Sequence, residues 1–139
     1  MIYRIYGQKD TTIYELNTRK EQNTGLDEVL EVTKFFDEES NSVHMGNSRI
    51  LSKFDLTEIS KSISLNEIPS TANYQLNLTS VGDDEVETEY TLEVYPISQS
   101  WSEGTGQYFD TPISKVGSSW EYRDSKNKWG VSKTQIFNG

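Results

Sequence analysis

The sequence predicts an all-β protein, an antiparallel β-sandwich or jelly roll with one short helical turn, and three observations lead there. First, two segments alternate strictly: in "ANYQLNLTS" Tyr74, Leu76 and Leu78 interleave with Asn73, Gln75, Asn77 and Thr79. In "VETEYTLEVYPIS" Val86, Thr88, Tyr90, Leu92 and Val94 interleave with Glu87, Glu89, Thr91 and Glu93. A period of two sends each set to one face of a strand, so Tyr74, Leu76, Leu78, Tyr90, Leu92 and Val94 are the expected core. Second, eight Tyr, five Phe and three Trp stand among many Ser, Thr, Asn and Gln, a mix that suits half-buried sheet surfaces better than helices. Third, the candidate strands are short and separated by long polar loops, as in sandwiches.

Taken in order, "IYRIY" (2–6) and "TTIYEL" (11–16) read as strands around a "GQKD" turn, and "NTRKEQNTG" as a polar loop. "LDEVLEVTK" (26–34) suits a strand by its Val and Thr content, although Leu26, Val29 and Leu30 also fit one helical turn. "FDEESNSVHMGNS" is loop-like. "SRILSKF" is a strand that stops at "DLTE", where Asp55 and Glu58 have capping-box spacing, so "LTEISKSI" forms one or two helical turns before Pro69. The two alternating strands follow, joined by "VGDDE". "SWSEGTGQYFDTP" is a long loop, "SSWEYRD" a strand, "SKNK" a turn and "WGVSKTQIF" a further strand.

With 139 residues and 33% hydrophobic content there is material for one core. The net charge of −9 disfavours binding to duplex nucleic acid. It is unevenly spread: residues 1–111 carry 8 basic and 20 acidic groups, 112–139 carry 5 and 2. An acidic body with a basic end is suited to head-to-tail contacts between copies, or else to a solvated surface. No Cys occurs, which removes disulfides, thiolate metal sites and a cysteine nucleophile. No apolar run approaches the roughly 20 residues of a spanning helix. The N-terminal sequence enters β-type alternation without the series of a signal peptide, so folding in a cytoplasm is expected.

Catalytic constellations are sparse. His44 is the single histidine, and the serines lack a G-x-S-x-G setting, so no catalysis and no cofactor is expected. Glu85, Glu87, Glu89 and Glu93 read as a solvated strand face. No metal site is expected from spacing; were a structural calcium held as in many jelly rolls, its ligands would come from Asp10, Asp27, Asp83, Asp84 and Asp110, though no EF-hand pattern occurs. The aromatic-rich stretch with Trp101, Tyr108, Phe109, Trp120, Tyr122 and Trp129 is read as core or interface. Its alternative use is stacking on sugar rings, with Trp101, Tyr108, Trp120 and Trp129 as the platform.

The pieces "DTTIYE" (10–15), "NTGLDEVLEV" (23–32), "SRILSKFDL" (48–56), "LEVYPISQSWSEGTG" (92–106) and "SSWEYRD" (118–124) occur in an order that resembles the DNRLRE-type domain. That family is a jelly roll similar to carbohydrate-binding modules, found in secreted surface proteins of bacteria and archaea and in virion proteins of tailed phages. The resemblance implies one jelly-roll-like domain over 1–139, or the N-terminal part of one, with closing strands still to be supplied by further sequence or by a partner. It implies a non-enzymatic virion structural protein that assembles in the host cytoplasm with copies of itself or other virion proteins, without nucleic acid or membrane. The alternative it implies is a carbohydrate-binding module for a cell-surface or substrate glycan.

Overall fold

In the computed structural model of the protein, the described residues are 2–39, 42–69, 71–81 and 91–130, with the side chains of 36–39 and 42–44 outside the description. Among the described residues three strands and one helix are formed: β1 (Gly7–Tyr14), β2 (Lys34–Glu39), β3 (Ser42–Phe54) and α1 (Thr57–Ser64). The strands make one antiparallel sheet in the order β1-β3-β2. The described architecture is therefore β-dominated, with a small sheet and a single short helix.

β3 is long because its two halves serve different partners. Its first half pairs with β2, with Phe35 opposite Gly46 and Asp37 opposite His44. Its second half pairs with β1, with Thr11 opposite Leu51 and Ile13 opposite Arg49. Backbone bonds pin the changeover: Glu15 N–H donates to the Asn47 carbonyl and Ser48 N–H to the Thr33 carbonyl, both at 2.9 Å. The Glu15 carboxylate also accepts from Asn47 N–H at 3.1 Å and from its Nδ2 at 3.0 Å. A β-bulge between Gly7 and Lys9 absorbs one residue at the start of β1.

The core sits on β1. Thr11, Thr12, Ile13 and Tyr14 are all buried, so this strand is covered on both faces. Ile13 and Leu51 pack with Trp101 and Trp129, with Ile97 and Trp120 at the margin. Adjacent residues point oppositely along a strand, and Tyr14 accordingly meets Phe35 and Tyr108, at centroid distances of 5.7 and 5.3 Å. At the outer edge of β1, where no strand among the described residues pairs, side chains take up the Thr12 carbonyl and the Asp10 N–H. Thr24 Oγ1 donates to the Thr12 carbonyl at 2.7 Å, Glu31 N–H donates to Thr12 Oγ1 at 3.0 Å, and Asp10 N–H donates to Glu103 Oε1 at 2.9 Å. These partners occupy two of the backbone groups through which another strand would pair with β1.

The helix forms where expected, one residue later than "LTEISKSI". Asp55 Oδ1 accepts from Thr57 N–H and Oγ1 at 3.0 and 2.6 Å, turning the chain out of β3. The N-cap itself is Leu56, so the capping box is not formed as such. Glu58 in the first turn and Lys61 in the last suit the helix dipole, Ile59 is buried, and Asn66 ends the segment at φ 58°. No helix among the described residues is long and apolar enough to cross a membrane.

Several elements differ from the sequence reading. "GQKD" is the start of β1, not a turn, and residues 2–6 are not a strand. Within the expected loop of 36–48, residues 36–39 belong to β2 and 42–48 to β3, a pairing of backbones that the Phe-Phe-Asp-Glu-Glu order does not advertise. Residues 26–33 are turns and irregular chain, with Leu26, Val29 and Val32 about half exposed. "SSWEYRD" and "SKNK" form a turn closed by Arg123 N–H on the Asn127 carbonyl, with one isolated bridge, Tyr122 to Lys128. The strand expected from Trp129 on has only residues 129 and 130 inside the description, and neither is in a strand.

The largest correction concerns the core. Residues 72–81 and 91–98 pair with no strand among the described residues. Tyr74 is 65% exposed, Leu76 49%, Leu78 64%, Leu92 44% and Val94 72%, while Tyr90 lies outside the described residues. Alternation prepares a face for burial, but only a second layer buries it. The covered side chains are Ile13, Leu51, Trp101 and Trp129 instead.

This location of the core predicts that Leu51→Ala costs about 2–4 kcal/mol of unfolding free energy, as cavity-forming changes do. Leu76→Ala costs within about 0.5 kcal/mol, as expected of an exposed site. Urea denaturation followed by tryptophan fluorescence reads both; equal costs would contradict the placement.

Candidate functional site

The loop 101–119 is held against the segment 22–25 by Asn23, which is fully buried. Its Nδ2 donates to the Glu103 and Ser118 carbonyls at 2.6 and 2.8 Å, and its Oδ1 accepts from Gly106 N–H at 2.8 Å and Gly25 N–H at 3.2 Å. Its backbone N–H donates to the Ser114 carbonyl at 2.8 Å. The polar atoms of the carboxamide are thus satisfied by main chain, as burial of such a group requires. Only glycine fits beside it at two places. Gly104 and Gly117 have φ of 91° and 125°, and a Cβ on either would come within 2.5 Å or less of the Asn23 side chain. That is why "NTG", "EGTG" and "VGSS" belong together in this chain.

Gln22, also fully buried, continues the lacing outward. Its Nε2 donates to the carbonyls of Gln107 and Tyr108 at 3.0 and 2.9 Å. Arg19 Nη1 donates to Gln22 Oε1 at 2.6 Å and to the Tyr108 carbonyl at 2.9 Å, and its guanidinium lies 3.7 Å from the Tyr108 ring centroid. On the other side, both Asp27 carboxylate oxygens accept from Tyr108 N–H at 3.2 Å. Burial, with Glu31 and Asp110 nearby, raises the Asp27 carboxyl above the ordinary range, against the opposing pull of the Tyr108 N–H. Burial and the hydrogen bond to Glu31 also raise the Tyr14 hydroxyl.

These contacts present an open depression of about 320 Å³, lined by Thr18, Arg19, Tyr108 and the segment Phe109, Asp110, Thr111 and Ile113. Phe109 is 89% exposed and meets Tyr108 edge-on at 5.2 Å. It is the open aromatic face of the site.

The four aromatics expected as a glycan platform are not brought together as one. Trp101 and Trp129 are each 9% exposed and belong to the core. Lys9 lies 4.1 Å from the Trp101 ring centroid and donates to the Trp101 carbonyl; burial first, then Lys53, lowers the Lys9 ammonium below its usual value. Arg49 lies 4.8 Å from the centroid of Trp120, and Trp129 Nε1 donates to the Ser119 carbonyl at 2.8 Å. A stacking platform needs an uncovered ring face, so Trp101, Trp120 and Trp129 are core and margin. Tyr108 alone lines the depression, with Arg19 over its ring.

No protein-family model, curated protein or solved structure matches the chain. Asp10 has Glu103 as its acidic neighbour, and Asp27 has Glu31 and Asp110; Asp83 and Asp84 lie outside the described residues. Among the described residues no group of three or more His, Cys, Asp or Glu side chains is placed to hold a metal ion. Sequence reasoning missed Asn23, Arg19 and the openness of Phe109. The glycines at 104, 106 and 117 were the available signal for Asn23, since clustered glycines mark close backbone approach.

Asn23→Asp is expected to destabilise by about 2–4 kcal/mol, because a carboxylate faces two carbonyls where an amide donated. Ser118 Oγ is buried without a hydrogen-bond partner among the described residues, so Ser118→Ala is expected to be neutral or stabilising in the same urea assay. Asp10 is raised by burial and then by Glu103. A raised carboxyl binds its proton more tightly when folded, so stability falls as pH rises from the ordinary Asp value through the folded one. Asp10→Asn should therefore raise the urea midpoint at neutral pH, with the gain disappearing below the ordinary Asp range; an unchanged pH slope would contradict this.

Proposed function

We propose that the protein is a non-enzymatic structural component of a tailed-phage particle, an assembly or decoration module of head, neck or tail that partners copies of itself or other virion proteins. In this reading the chain belongs to a jelly-roll-like sandwich, and residues 72–81 and 91–95 find their strand partners in a neighbouring subunit.

The observation that carries it is the combination of strand patterning with exposure in those two segments. Tyr74, Leu76, Leu78, Leu92 and Val94 are 44–72% exposed, and neither segment pairs with a strand among the described residues. Covering a side chain of this size fully gains about 1.5–3 kcal/mol. Five partly exposed ones gain roughly 5–10 kcal/mol, comparable to the roughly 4–15 kcal/mol that association costs. Side-chain burial therefore only balances that cost, and pairing of the two backbones supplies the surplus. The phage setting is supported by the ordered resemblance of five sequence pieces, and head-to-tail contact by the basic excess of residues 112–139 against an acidic body.

In sedimentation of the whole chain, self-association at tens of micromolar is expected, with Leu76→Asp combined with Leu92→Asp abolishing it while tryptophan fluorescence stays unchanged. In images of a purified particle, the protein should occupy symmetry-repeated positions. A chain that is monomeric at every concentration and absent from particles would overturn the proposal.

A further inference from the structure

We infer that residues 2–6 of one copy of the chain add as an antiparallel strand to residues 91–95 of a second copy, with Arg4 opposite Glu93. This pairing rests on the assembly reading, in which 91–95 finds its partner in a neighbouring subunit, and adds which segment that partner is and in what register it lies.

The fold uses neither segment. Among the described residues neither lies in a strand and neither makes a backbone–backbone hydrogen bond, so each presents the N–H and C=O groups that strand addition requires. Both have strand composition: "IYRIY" is β-branched or aromatic except at Arg4, and "TLEVY" holds Thr91, Val94 and Tyr95. Ile2 is 85% exposed, Tyr6 79% and Val94 72%. The arm is tethered lightly, through the Tyr3 hydroxyl, which donates to the Glu58 carboxylate at 3.3 Å on the exposed side of α1.

Charge and alternation agree on one register. With Arg4 opposite Glu93, Tyr3 faces Val94 and Ile5 faces Leu92, so one side of the two-stranded ribbon is wholly apolar. Ile2 then faces Tyr95 and Tyr6 faces Thr91 on the side that carries the ion pair. A slip of one residue sets Arg4 against Leu92 or Val94 and mixes the two sides. A slip of two sets Glu93 against Ile2 or Tyr6. Arg4 is exposed and makes no ion pair among the described residues. Glu93 accepts from the Tyr95 hydroxyl through Oε2 at 2.6 Å, on the same strand face, which leaves Oε1 for the guanidinium.

The partner is a second copy because one copy brings these stretches together in the other sense. Lys9 Nζ donates to the Trp101 carbonyl and Asp10 N–H to Glu103 Oε1, so 101–103 lie along 9–10 in the same direction. Continued towards the arm, that offset of 92 to 93 residues sets Arg4 beside Pro96 and Ile97, parallel and away from Glu93. A separate copy is free of that offset, and antiparallel pairs are slightly the more stable per residue. Arm and acceptor are different surfaces, so the contact runs head to tail from copy to copy.

In sedimentation of the whole chain, Arg4→Glu and Glu93→Arg are each expected to weaken self-association at least about threefold, and the two together to restore it. Tryptophan fluorescence should stay unchanged in all three, since both sites are exposed. Opposed Cα atoms in an antiparallel pair are about 4.5–5.5 Å apart, within disulfide reach, and the chain has no Cys of its own. Oxidation of Arg4→Cys chains mixed with Glu93→Cys chains should therefore give the mixed dimer well above either homodimer, and a chain carrying both substitutions should give a ladder of linked copies. Self-association that Arg4→Glu leaves unchanged, or that the double reversal fails to restore, would overturn the strand assignment while the assembly reading stands. An internal disulfide in the doubly substituted monomer would overturn it in favour of closure within one copy. Absence of self-association at every concentration would overturn both.

Discussion

A single buried carboxamide, that of Asn23, joins stretches of chain that no sheet connects. Its donors reach main chain at 103 and 118 and its acceptor reaches 106 and 25, so one side chain substitutes for the ladder that strands would supply. The arrangement is exacting because an amide has two donors and one acceptor oxygen with two lone pairs, all of them directed at backbone here. Everything outward of it follows in series. Gln22 holds Tyr108, Arg19 holds Gln22, and the rim of the depression is as well placed as the innermost bond allows.

The second support is the meeting of cations with indoles. Lys9 on β1 and Arg49 on β3 approach Trp101 and Trp120, each from the sheet towards the loops. Their charged ends sit over ring faces, a use of long basic side chains that adds roughly 0.5–2 kcal/mol per contact. In a chain with 22 acidic and 13 basic residues, committing these two cations to indole rings ties a polar exterior to a small aromatic core.

What could be read from the sequence follows from which rules act locally. The end of β3 at Phe54 and the helix after Asp55 are set by alternation and by an Asp-Leu-Thr-Glu turn and fall within a residue of expectation, whereas β3 begins at Ser42, six residues before the expected start. The β2–β3 pairing was hidden because adjacent Phe35 and Phe36 and three successive acids do not alternate. Alternation at 74–78 marked a face without saying whether a second layer covers it. For the site, an aromatic-rich region was visible, but which rings stay open depends on where Lys9, Arg19 and Arg49 come to rest, and those contacts join residues 70 or more positions apart. Phe109 was legible as an aromatic and illegible as the exposed one.

The split allegiance of β3 also bears on how this chain can change length over evolution. Residues 42–47 take their register from β2 and 48–54 from β1. One residue inserted between Asn47 and Ser48 would reverse inside and outside for one half relative to the other. Either Leu51 would leave the tryptophans, or the 42–47 half would turn over against β2. Length variation among descendants of this sequence should therefore avoid that junction and collect in the irregular chain of 71–81, where no pairing register is shared among the described residues.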